Sequence, residues 1–136
     1  MAIARKFGDK VYMWHVPDLL ARAADLLVRE TSVDRFNLDV DAWFGEACKP
    51  TIKNVLHHMR VIRNANLNEP ILLSAEGHVF DGLHRLARCV LEGIAIIKYG
   101  QFEVNPEPFE IVDFEEFSRQ KPLIAETLVW MERNQL

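Results

Sequence analysis

Between Pro70 and Phe102 the sequence leaves its backbone little choice. Ile71-Leu72-Leu73 is a short apolar run, Ala75-Glu76-Gly77 a tight turn and His78-Val79-Phe80 a second apolar run, a pattern expected of a hairpin. From Gly82 the period changes. Leu83, Leu86, Ala87, Val90 and Leu91 recur at the spacing of one helix face. Gly93 follows as a natural left-handed stop, and Ile94 to Phe102 reads as a strand. Strand, turn, strand, helix and strand in so short a stretch predict an α/β (α+β) class, with a small mixed sheet and packed helices.

The flanks fit the same class. Val11 to Trp14 reads as a strand. Pro17 opens a helix whose buried face takes Val16, Leu19, Leu20, Ala23, Ala24 and Leu27. Val28 to Val33 reads as extended, followed by an acidic, aromatic connection from Asp34 to Glu46. Pro50 and Thr51 start a second helix with Ile52, Val55, Leu56, Met59 and Ile62 as its apolar stripe, ending near Asn64 to Asn68. Leu123 to Arg133 is a closing helix. Residues 1–108 are expected as one domain, and 109–136 as a helical extension packed on it or on a second subunit.

At 136 residues and a net charge of −4, the chain lacks the basic excess with which general DNA binders displace counterions. DNA is therefore not an expected partner. No apolar run approaches the roughly 18 residues that span a bilayer, so no membrane is expected either. Cys48 and Cys89 are expected as free thiols in a reducing cytoplasm, Cys89 as a small buried hydrophobe. The five histidines show no metal-binding spacing.

Chemistry concentrates at Asp81-Gly82-Leu83-His84-Arg85. The first turn of a helix exposes N–H groups with no internal partner, and the helix dipole adds partial positive charge there. Gly82 lets a ligand approach the backbone, His84 and Arg85 sit in the first turn, and Arg88 lies one turn on. Backbone donors, an imidazole and guanidinium groups suit a phosphate. The alternative is a plain helix start capped by Asp81, with solvated basic residues around it.

This motif, with Pro70-Ile71-Leu72-Leu73 before it and Gly93 and an apolar strand after it, resembles the ParB/sulfiredoxin-like fold. It is most like the small ParB-like nuclease domain proteins that carry Asp-Gly-x-His-Arg. The resemblance implies a nucleotide whose phosphates rest on Gly82, Leu83, His84, Arg85 and Arg88. Sulfiredoxins use ATP to phosphorylate a sulfinic acid through a cysteine just before the His-Arg pair; here Leu83 stands in that place. ParB clamps carry Glu-Arg-Arg and an added helix-turn-helix, and the tail after Pro108 is too short for one. The free serine kinase version is nearer, and it implies an acidic base from an earlier loop, matched here by Asp39 or Asp41.

Three functions follow from these residues. The first is a nucleotide-binding domain with ATP- or ADP-dependent phosphotransferase activity. In it His84 and Arg85 neutralise developing charge, Asp81 lies near a nucleotide-borne Mg²⁺, and Asp39 or Asp41 is the base. The second is a non-catalytic nucleotide or anion sensor that acts through a protein partner. The third, ranked last, is a ParB-like nuclease. The acceptor, the base of the nucleotide and a homodimer are left open by sequence.

Overall fold

The computed structural model describes residues 2–40, 43–45, 48–133 and 136. Among the described residues the fold is mixed α/β, with five α-helices and two small sheets. The chain divides into two units that interleave along the sequence: residues 1–22, 37–49 and 106–136 form the first, and 23–36 and 50–105 the second.

In the first unit, β1 (Ala2–Phe7) and β2 (Lys10–His15) form a hairpin in full register from Ala2 opposite His15 to Phe7 opposite Lys10. Its two-residue turn is Gly8-Asp9, with Gly8 at a φ of 60° that favours glycine. β2 also pairs antiparallel with β7 (Glu110–Asp113), giving the order β1-β2-β7. Two helices follow, α4 (Phe114–Gln120) and α5 (Pro122–Arg133). Val11 from the sheet, Phe117 from α4 and Ala125 and Leu128 from α5 form a buried apolar cluster. Thus the closing helix does bury its Leu128 and Met131 face, while Ile124 is exposed. The acidic run Asp113, Glu115, Glu116 is a solvated helix start, Asp113 occupying the N-cap position.

Helix α1 (Val16–Ala23) begins with Pro17 in its first turn, as expected, but stops early. The N–H of Leu26 donates to the carbonyl of Ala23 in a turn, and the apolar periodicity that continued to Leu27 is not helical; Leu27 is 70% exposed. The chain instead runs into β3 (Arg29–Ser32), within the stretch from Val28 to Val33 that reads as extended.

The second unit carries the segment from which the fold class was read. Strands β4 (Ile71–Leu73) and β5 (Val79–Asp81) pair as a hairpin around Gly77, at a φ of 88°. Helix α3 (Leu83–Glu92) follows, then β6 (Ile96–Gln101), which lies parallel to β4 and antiparallel to β3. The sheet order is β3-β6-β4-β5. Gly93 ends α3 in the left-handed region, its N–H donating to the carbonyls of Cys89 and Val90. Ile71, Leu73, Val79, Leu86 and Cys89 are the most deeply buried apolar side chains of this unit. The thiols of Cys48 and Cys89 are free; burial pushes that of Cys89 up, away from the reactive thiolate.

Helix α2 (Ile52–Asn64) is capped by Thr51, whose Oγ1 accepts from the N–H of Asn54 at 3.2 Å. Its expected apolar stripe is not a core face: no residue of α2 is fully buried, and Ile52 is 83% exposed. Helix α2 packs on α3, which already offers Leu86 and Cys89 to the sheet. The same layering leaves Val90 and Leu91, at the far end of the α3 stripe, exposed.

Candidate functional site

The hairpin delivers the chain to α3 through Gly82, and the cap here is not the expected one. Asp81 is the last residue of β5; Gly82 itself takes the N-cap position, and no side chain caps the helix. Gly82 has φ 118° and ψ 17°, backbone that a side chain rarely adopts. A Cβ there would stand 2.4 Å from Cγ2 and 2.7 Å from Cβ of Ile71. Packing of the helix start against β4 therefore requires this glycine, whatever a ligand asks of it.

The start of α3 opens into a cavity of about 470 Å³, a volume in the range of small-molecule sites. From α3 and its approach come Asp81, Gly82, His84 and Arg85; from the end of α2 come Arg60 and Asn64, followed by Asn66 and Glu69. The expected motif and a wall contributed by α2 thus face one space. Sequence reasoning gave this wall little weight. Arg60 and Asn64 are four apart on one helix face, a spacing that was legible. That α2 would lie beside α3 was not.

Arg85 of the motif and Arg88 one turn on are both held by contacts within the protein. Nη1 of Arg85 donates to the carbonyl of Pro70 at 2.9 Å, while Nη2 lies 3.5 Å from carboxylate oxygens of both Glu69 and Asp81. Arg85 is only 17% exposed at its side chain. Arg88 donates to the carbonyl of Ala65 at the end of α2 and, through Nε, to Glu92 at 2.9 Å. Both arginines therefore tie α3 to the segment between α2 and β4, and the charge of Arg85 is balanced by two carboxylates.

His84 has a partner that the motif alone does not announce. Nδ1 of His58 on α2 lies 2.8 Å from Nε2 of His84, and the two rings are within 9° of parallel. One of the two nitrogens must carry the proton and the other accept it. Desolvation first, and the neighbouring histidines second, push both imidazoles below their ordinary range; Asp81 pulls His84 partly back. The shift favours the neutral form of both rings. Of the adjacent pair His57 and His58, only His58 meets the site, as the helical geometry requires; His57 is exposed.

Asp39 belongs to the first unit, on an exposed loop where its N–H donates to Oδ1 of Asn37. Asp41 lies outside the described residues. Trp43 and Phe44 are half-buried in the first unit, and His15 stacks on Phe109 there at 3.9 Å. Among the described residues no three His, Cys, Asp or Glu side chains converge as a metal site, and no helix is long and apolar enough to cross a membrane.

The chain matches no family model, no curated protein and no solved structure.

Proposed function

We propose that the second unit binds a phosphate-bearing small molecule, a nucleotide, in the cavity at the start of α3. One observation carries this: the uncapped first turn of α3, the imidazole of His84 and the side chains of Arg60, Asn64 and Asn66 line the same 470 Å³ space. First-turn N–H groups of Leu83, His84 and Arg85 would hold phosphate oxygens with the helix dipole behind them. Arg60, exposed and with no ion pair among the described residues, supplies mobile positive charge. Arg85 shapes the wall and keeps Asp81 and Glu69 from repelling the anion. The resemblance to the ParB/sulfiredoxin-like fold points the same way, and two free thiols suit a reducing cytoplasm.

Mg²⁺ fits only as a companion of the nucleotide. Asp81 and Glu69 are the carboxylates in the cavity, both engaged by Arg85, and the described residues offer no metal cluster of their own. With both carboxylates neutralised by Arg85, the cavity favours an anion over the metal that a metal-dependent nuclease needs.

The His58–His84 pair favours catalysis over sensing alone. A neutral imidazole braced by a second ring is the group in this cavity suited to take a proton from an acceptor hydroxyl. That oxygen would then attack the terminal phosphorus of the nucleotide, and the nucleotide would leave one phosphate shorter. This role falls to His84 because its side chain lines the cavity.

Calorimetric titration with ATP, ADP and CTP, each with Mg²⁺, tests the binding. Saturable binding is expected, weakened at least about tenfold, or 1.4 kcal/mol, by Arg60→Ala. Nucleotide turnover in the presence of a hydroxyl acceptor, lost in His84→Gln, would mark a phosphotransferase. Intact nucleotide after long incubation would mark a sensor that reports to a protein partner. Binding of none of the three nucleotides would refute the proposal.

A further inference from the structure

Helix α2 presents an apolar row and a set of basic side chains, of which the cavity uses only Arg60. Ile52, Leu56 and Met59 recur at i, i+4 and i+7 and lie on one side of the helix, 83%, 44% and 41% exposed. One residue further on in each turn stand Lys53, His57 and Arg60, and Arg63 continues the apolar row toward the C-terminus. All four of these are exposed. The helix has no acidic residue, although the chain as a whole carries −4. Lys53, Arg60 and Arg63 form no ion pair among the described residues. An apolar row beside the cations Lys53, Arg60 and Arg63 costs solvation on one side and self-repulsion on the other, and neither is offset among the described residues.

We infer that α2 docks an amphipathic helix of a partner protein whose apolar row is flanked by an acidic row. Two facing helices mesh rows of this spacing, and Glu or Asp beside the partner's apolar row would meet Lys53 and, at the C-terminal end, Arg63. Leu56 and Met59 are half covered and so recessed; a helix ridge reaches them, whereas a bilayer surface meets mainly Ile52. The negative net charge also opposes an anionic membrane. A second copy of this chain is a poor occupant, because its own acidic helix start, on α4, is a seven-residue helix whose apolar Phe117 is already buried.

The test uses a fluorescent peptide of about 15 residues, stapled on its back face because free helices of that length are marginal. It carries Leu at i, i+4 and i+7 with Glu in the adjacent row, and its anisotropy is followed against the full chain. Saturable binding is expected, at least about tenfold weaker for the peptide with Lys in place of Glu. Ile52→Asp and Lys53→Glu should each weaken binding by a similar factor, and Lys53→Glu should regain affinity for the Lys peptide. Ile52 is exposed enough that its substitution leaves the core untouched, which far-ultraviolet circular dichroism checks. Absence of saturable binding, equal affinity for both peptides, or Ile52→Asp binding like the parent would overturn the inference. So would Ile52-dependent cosedimentation with phosphatidylglycerol vesicles in preference to the peptide, or Ile52-dependent dimerisation in sedimentation velocity.

Discussion

Gly82 is under two constraints, backbone in the left-handed half of conformational space and a neighbour, Ile71, where a Cβ would go. Gly82→Ala must therefore shift β4 against α3, and overpacking of this kind costs about 1–3 kcal/mol before backbone strain is added. Chemical denaturation should show that loss even without ligand. Arg85 and Arg60 separate structure from binding in the same cavity. Arg85→Ala removes the donor to Pro70 and leaves Asp81 and Glu69 without their cation, so it should lower stability by about 1–3 kcal/mol. Arg60→Ala should leave the melting temperature nearly unchanged while weakening anion binding. The histidine pair sets a pH dependence. Both folded imidazoles lie below the ordinary value of 6.5, so as pH falls through that value the unfolded chain takes up protons that the folded chain resists. The pair's contribution to stability is complete above the ordinary imidazole range and is lost as pH falls through it. Melting temperatures measured from about pH 7.5 to 5.5 should fall less steeply in His58→Gln than in the parent chain.

Among the elements, α3 and its flanking strands were legible because period and punctuation agree. Leu86 and Cys89 face the sheet, Gly93 stops the helix, and β4 and β5 meet around Gly77. Strand β1 was missed, although Gly8-Asp9 is a two-residue hairpin signal; Arg5 and Lys6 obscured the alternation before it. Helices α1 and α2 show the limit of periodicity. An apolar stripe says which residues share a face, not whether a core meets that face, and only Leu19 of α1 is buried. The site was legible to the same degree. Its motif stands where the residues placed it, while Gly82 in place of Asp81 as cap and the His58 contact depend on packing between elements distant in sequence. The start of α2 was readable from Thr51 alone, and Thr51→Ala should cost about 1 kcal/mol through loss of the bond to Asn54. Measured by denaturation, a loss well below this would mean that the helix is held by its packing on α3 instead.

At the scale of the whole molecule, the candidate cavity is built entirely within the second unit, from residues between Arg60 and Arg85. The first unit builds its own core from both ends of the chain, around Val11, Phe117, Ala125 and Leu128. Ligand binding should therefore be read out by amides of the second unit. The most direct measurement is a nitrogen-15 spectrum of the labelled full chain titrated with ADP and Mg²⁺. Saturable shifts at the amides of Leu83, His84 and Arg85, accompanied by Arg60 and Asn64, are the expected result. Unmoved amides at those five positions with millimolar nucleotide present, or shifts gathered elsewhere in the chain, would contradict an anion site at the start of α3.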